Sequence, residues 1–169
     1  MNYQGTYQIR ATSEKSISYV SEDEFHATVN ATGLVTAGKV GEMNVLVSDG
    51  STTKKFNVKV TPKSALYNEP LTDWTLTKAQ VISKLGTPYN QTDSLCVYRQ
   101  SDPAVSYLMY LFTTAGKIKG VVTTVGTRHT TSLTTILTER YAGTSNDVYF
   151  YMNQITYAKA TTIIGMFFG

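Results

Sequence analysis

A mainly β protein of two domains is predicted, a β-sandwich followed by an α+β domain with two helices on one face of an antiparallel sheet. Three observations lead there. The first is period-two alternation between His26 and Val60, which puts Ala27 and Val29, Val35 and Ala37, and Met43, Val45 and Val47 on one face of successive strands. The second is a stop at Thr61-Pro62-Lys63-Ser64, because proline cannot donate into a continuing ladder and the alternation ends there. The boundary is therefore expected between a sandwich at 1–62 and a second domain at 63–169. The third is composition: 169 residues suit two small cores, and 41% hydrophobic with only 16% charged residues suits a folded, β-rich chain.

The elements follow in order. Tyr7 to Ala11 and Ile17 to Tyr19 read as strands joined by the polar turn Ser13-Glu14-Lys15-Ser16. Gly33, Gly38, Gly41 and Gly50 separate the next strands, and Asp49-Gly50 is the strongest hairpin signal. Lys55 to Val60 alternates with lysines and asparagine outward. After a linker over 65–70, a helix is expected over Lys78–Leu85, with Thr77 as N-cap, Ala79, Ile82 and Leu85 at helical spacing, and Gly86 and Pro88 as the stop. Strands are expected at Leu95–Gln100, Tyr107–Thr113 and Lys117–Gly126, with Ala115-Gly116 as a turn. A second helix over Leu133–Tyr141, capped by Ser132, and closing strands at Asn146–Met152 and Thr161–Phe168 complete an α+β layer.

Charge and motif content narrow the function classes. Of the Lys and Arg residues six lie in 1–62 and nine in 63–169, against six acids in each part, with no basic run, so no nucleic-acid partner is expected. The single cysteine, Cys96, sits in an apolar run as a small hydrophobe. His26 and His129 lack companion ligands at metal-binding spacing, and Glu22-Asp23-Glu24 lacks the alternation of a calcium loop, so no metal or other cofactor is expected. No G-x-S-x-G, phosphate loop, H-E-x-x-H or dinucleotide fingerprint occurs, which argues against an enzyme. Neither a transmembrane run nor an N-terminal basic-then-apolar leader is present in the sequence.

Tyrosine is the one enriched type with a possible binding role, since it offers area at low entropic cost and keeps a polar tip. Tyr89, Tyr98, Tyr107, Tyr110, Tyr149 and Tyr151, with Trp74, form the candidate binding surface, and Tyr141 and Tyr157 extend the set. The structural alternative, tyrosines covering a sheet face and Trp74 plugging the domain junction, stands beside it.

The run A-T-V-N-x-x-G-L-V-T-A-x-x-x-G over 27–41, the alternating strand after it and V-x-V-T-P at 58–62 resemble the bacterial immunoglobulin-like domain of group 2, over roughly 13–62. That resemblance implies a β-sandwich of extracytoplasmic proteins that spaces or presents other domains in adhesins, surface enzymes and envelope proteins. It also implies a strand ahead of Tyr7, for which only Met1–Gly5 is available, so that strand is very short or missing. L-T-K-A-Q-V-I-S-K-L-G-T-P at 76–88 and Y-L-F-T-T-A-G-K-I-K-G-V at 110–121 are similar to the helix-first unit of the beta-lactamase-inhibitor-protein superfamily and of small lipoproteins supporting outer-membrane assembly, families that act by protein binding. Together they imply a non-enzymatic, exported bacterial protein without its signal peptide, whose partner is another envelope or extracellular protein. A glycan-binding accessory module and a plain spacer are the alternatives.

Overall fold

The computed structural model describes residues 1–144, 150–152, 159 and 163–165. The protein is mostly β, with antiparallel sheets and two α-helices, and it divides into two compact units, 1–64 together with 134–169, and 65–133. The second unit is thus inserted within the first. The sequence expectation drew one second domain over 63–169, whereas the division falls near Ser64 and again inside the second helix.

The first unit holds two facing three-stranded sheets. One joins β1 (Thr6–Gln8), β4 (Leu34–Ala37) and β3 (Ala27–Val29), and the other β2 (Ser18–Ser21), β5 (Gly41–Ser48) and β6 (Thr53–Val60). The expected alternation is realised: Ala27, Val35 and Ala37 from one sheet meet Met43, Val45, Val58 and Val60 from the other in one core, with Val29, Val47 and Phe56 packed at its margin. Lys54, Lys55 and Lys59 stay exposed on β6, an edge strand that such charges protect from pairing with other chains. The strand ahead of β1 is reduced to a parallel bridge of Asn2 with Thr61, in which Tyr3 N–H donates to Thr61 O at 2.9 Å and Thr61 N–H to Met1 O at 2.9 Å.

Two glycines are required where they stand. Gly33 has φ +82°, and a Cβ there would lie 2.8 Å from the Tyr19 ring. Gly41 has φ +153° and lies against the His26 imidazole, whose Nδ1 is 3.2 Å from Lys39 O. His26 therefore fills a packing position in the hairpin entry. The acids beside it serve the turn: Glu22 accepts from Lys55 Nζ at 2.7 Å and Asn44 Nδ2 at 2.9 Å, and Asp23 Oδ1 accepts Phe25 N–H at 3.0 Å.

In the second unit, α1 (Lys78–Leu85) packs on a four-stranded meander in the order β10 (Ile118–Val125), β9 (Val105–Phe112), β8 (Leu95–Arg99), β7 (Asn90–Thr92). The expected cap is present as a reciprocal pair, Gln80 N–H to Thr77 Oγ1 at 3.3 Å and Thr77 N–H to Gln80 Oε1 at 2.8 Å. The expected apolar stripe needs correction. Val81 is the fully buried residue, with Ile82 beside it, while Ala79 is exposed and Leu85, in the last turn, is 38% exposed.

The second helix, α2 (Thr130–Arg140), starts three residues before the expected Leu133. A 3₁₀ turn over Thr127–His129 runs straight into it, and Thr130 Oγ1 donates to Thr127 O at 2.7 Å, so Ser132 lies inside the helix instead of capping it. β11 (Ala142–Thr144), β12 (Phe150–Met152) and β13 (Ile163–Gly165) form a fourth antiparallel sheet, where one layer with the meander had been expected. β12 and β13 fall within the two expected closing strands, and β11 has no counterpart among the expectations. Asn146–Tyr149 of the first expected strand, and Thr161, Thr162 and Met166–Phe168 of the second, lie outside the described residues.

Candidate functional site

Cross-strand register sorts the meander's residues into two faces, because directly paired residues point to the same side. Cys96, Tyr110 and Val121 form one row, Tyr98, Leu108 and Thr123 another, and Phe112 pairs with Ile118; this is the face that meets α1. On the other face lie Leu95, Leu111 and Gly120, then Val97, Met109 and Val122, then Arg99, Tyr107 and Thr124. Leu95, Val97, Met109 and Leu111 are half-buried there, and Val122 is 42% exposed.

The sequence-nominated aromatics divide between these environments. Tyr110 is fully buried in the core facing α1, where its Oη accepts Leu71 N–H at 2.8 Å. Tyr98 is 6% exposed and meets Tyr110 edge-on with centroids 6.2 Å apart, and its hydroxyl has no hydrogen-bond partner among the described residues. Burial, with smaller contributions from Cys96 and Tyr110, pushes the Tyr98 phenol up to about 12. Both tyrosines are core residues, so neither can face a partner. Trp74 is half-buried against the same core. Cys96 is fully buried there, and burial pushes its thiol up, the opposite of nucleophile activation.

Tyr89 and Tyr107 remain at the surface. Tyr89 is 66% exposed, and the Arg99 guanidinium carbon lies 5.6 Å from its ring centroid, a cation–π arrangement. Tyr107, half-buried, pairs with Arg99 across the strands and is fixed by Thr124, whose Oγ1 accepts Tyr107 N–H at 2.9 Å. Tyr107 and Arg99 line a shallow depression of about 260 Å³ with Gln100, Asp102, Val105 and Ser106. One Asp102 carboxylate oxygen is already engaged by Ala104 N–H at 2.7 Å. Tyr141 follows α2 and is half-buried. The backbone of Tyr151 lies in β12, and Tyr149 and Tyr157 lie outside the described residues.

The candidate site is therefore an apolar sheet face running from Leu95 and Leu111 to Val122, with a polar, aromatic end at Tyr89, Arg99 and Tyr107. The tyrosine count missed most of it. The available signal was in β9, Val105-Ser106-Tyr107-Leu108-Met109-Tyr110-Leu111-Phe112, which is apolar at nearly every position where a one-sided strand would alternate. His129 accepts from Arg128 Nε at 2.9 Å in the 3₁₀ turn, and no group of three or more potential metal ligands occurs among the described residues. No described helix is long and apolar enough to cross a membrane.

Comparison with known proteins bears on the N-terminal residues. Residues 2–69 match the family model described as bacterial Ig-like domain (group 2). Among solved structures, the chain is similar to an intimin mutant of EHEC O157:H7, at 17% identity over 74% of this chain and 79% of that one, with a TM-score of 0.34. It is also similar to domains 5-6 of the S-layer protein SbsC, at 14% identity over 96% of this chain and 75% of that one, with a TM-score of 0.31. No curated protein matches. With two facing sheets and a shared aliphatic core, the N-terminal domain is Ig-like, and its residues 2–69 match the group 2 model.

Proposed function

We propose that the chain is a non-enzymatic, extracytoplasmic bacterial module in which the Ig-like unit carries the inserted α+β unit, and that the inserted unit binds another envelope or extracellular protein. The observation that carries this reading is the sheet face turned away from α1. Its apolar centre at Val97, Met109, Leu111 and Val122, with Tyr89 and Arg99 at one end, has the composition of a protein-recognition patch, where aromatic and arginine anchors flank desolvated apolar area. The Ig-like match at 2–69 supports the location, since resemblance to that family implies a spacer or presenting module outside the cytoplasm.

The test is retention of a protein from a bacterial envelope extract on the full chain and on two full-length variants, Val122→Glu and Tyr89→Ala. A discrete protein held by the wild type and lost with both variants supports the reading. Equal retention by all three contradicts it. The shallow polar depression at Arg99, Gln100, Asp102 and Ser106 favours a second reading, in which a sugar ring docks on Tyr107. Loss of retention only after glycan depletion of the extract supports that alternative.

A further inference from the structure

The chain leaves the first unit at Ser64 and re-enters it at Thr134. One side chain ties these two crossings together. Glu139 is 3% exposed, the only buried charged residue among those described, and it sits in the last turn of α2. Its Oε2 accepts Lys63 N–H at 3.2 Å, Ser64 N–H at 3.1 Å and the Ser64 hydroxyl at 2.7 Å, with Arg140 Nη1 at 3.6 Å. A carboxylate this deeply buried is tolerable only because its charge is met by several donors at once.

The backbone of the same turn is claimed from the opposite direction. Val40 N–H donates to Glu139 O at 2.8 Å, and Lys39 Nζ donates to Thr138 O at 2.6 Å. These are carbonyls that a helix end leaves without intrahelical partners, and a cation is favoured there. Lys39 also lies 5.7 Å from the Tyr3 ring centroid, and burial lowers its pKa. Two separate stretches of the Ig-like unit, at 39–40 and at 63–64, therefore converge on one helical turn that lies beyond residues 2–69, and Tyr3 stacks on the lysine of the first.

We propose that Glu139 is a latch that closes the Ig-like unit at the points where the chain departs into the insertion and returns, so that the last turn of α2 is a working part of that unit. Local opening starts where few buried contacts hold the chain, and at the departure Lys63 and Ser64 lie outside any strand, with Lys63 exposed. The latch holds that departure with charge-assisted hydrogen bonds to its main-chain amides. An aspartate is one methylene too short to span the same gap, and a glutamine keeps an acceptor while losing the charge.

Amide hydrogen exchange on the full chain tests this. In the wild type, Lys63, Ser64 and Val40 amides are expected to be protected. In Glu139→Ala, exchange at Lys63 and Ser64 should accelerate at least tenfold, with Val45 and Val58 in the sandwich core unchanged and Glu139→Gln intermediate. Ser64→Ala removes one bond and leaves the carboxylate, and should accelerate Lys63 a few-fold. Unchanged exchange at Lys63 and Ser64 in Glu139→Ala would overturn the latch. So would an equal loss of protection at Val45 and Val58, which would make Glu139 a general support of the core. If Glu139→Ala does not fold, unchanged Lys63 exchange in both Ser64→Ala and Glu139→Gln is the overturning result.

Discussion

The two cores are built by different devices. The Ig-like core is made of small and β-branched side chains, Ala27, Val35, Ala37, Val45, Val58 and Val60, contributed by two sheets facing each other. The core under α1 has one sheet and one short helix, and fills its volume with aromatics, Tyr98, Tyr110 and Phe112, around Val81 and Cys96. The difference teaches where polar atoms become a structural problem. Valines bring none inside, whereas each buried tyrosine brings a hydroxyl that must find a partner or go without. Tyr110 finds Leu71, and Tyr98 finds none among the described residues.

The largest expected effect breaks the second core outright. Tyr110→Ala removes a fully buried ring and should cost about 3–5 kcal/mol, by analogy with other buried aromatic truncations. Denaturant unfolding read through exchange at Phe112 should show the loss, with Val45 far less affected. Comparable loss at both positions would mean that the two cores do not stand apart in the way described.

Gly33→Ala comes next and acts on the other unit. It places a Cβ 2.8 Å from the Tyr19 ring at φ +82°, so a cost of about 1–3 kcal/mol is expected. A thermal shift close to zero would mean that the turn relaxes freely and that the glycine is dispensable.

The smallest effects sharpen the comparison, because the two tyrosines differ by one hydrogen bond. Tyr110→Phe should lose about 1 kcal/mol, since it leaves the Leu71 amide without its acceptor, while Tyr98→Phe should be neutral or slightly stabilising. Alkali separates them further. The Tyr98 phenol is raised when folded, so folding favours its neutral form. Its contribution is complete below the unfolded phenol's pKa of about 10 and is lost as pH rises from there through about 12. Tyr98→Phe should therefore flatten that part of the stability profile, and an unaltered decline would place the alkaline sensitivity elsewhere.

The same contrast explains what could be read from the sequence. Val35, Val45 and Val58 alternate with more exposed residues because their strands bury one face, so period two, the glycine turns and the family motif all pointed to one sandwich. In the meander both faces of β9 are apolar, and alternation cannot say whether Tyr107 or Tyr110 points to the core. β7, Asn90-Gln91-Thr92, has no apolar residue at all and forms as the partner of β8, a tertiary effect on a polar segment. In α1 the spacing of Ala79, Ile82 and Leu85 was genuine, but burial went to Val81 and Ile82, which the sheet could reach. Glu139 was illegible for another reason. Its partners are 75 and 76 residues away, and nothing in Thr138-Glu139-Arg140 distinguishes it from a solvated helix end.

The central claim is a division of labour, in which the Ig-like unit carries and the inserted unit binds. Site-specific photo-crosslinking in the full chain tests it most directly, with the reactive side chain placed either at Val122 in the inserted unit or at Val20, 55% exposed, in the Ig-like unit. Exposed to an envelope extract, the chain labelled at 122 should form a discrete protein adduct and the chain labelled at 20 should not. An adduct confined to position 20 would contradict the account.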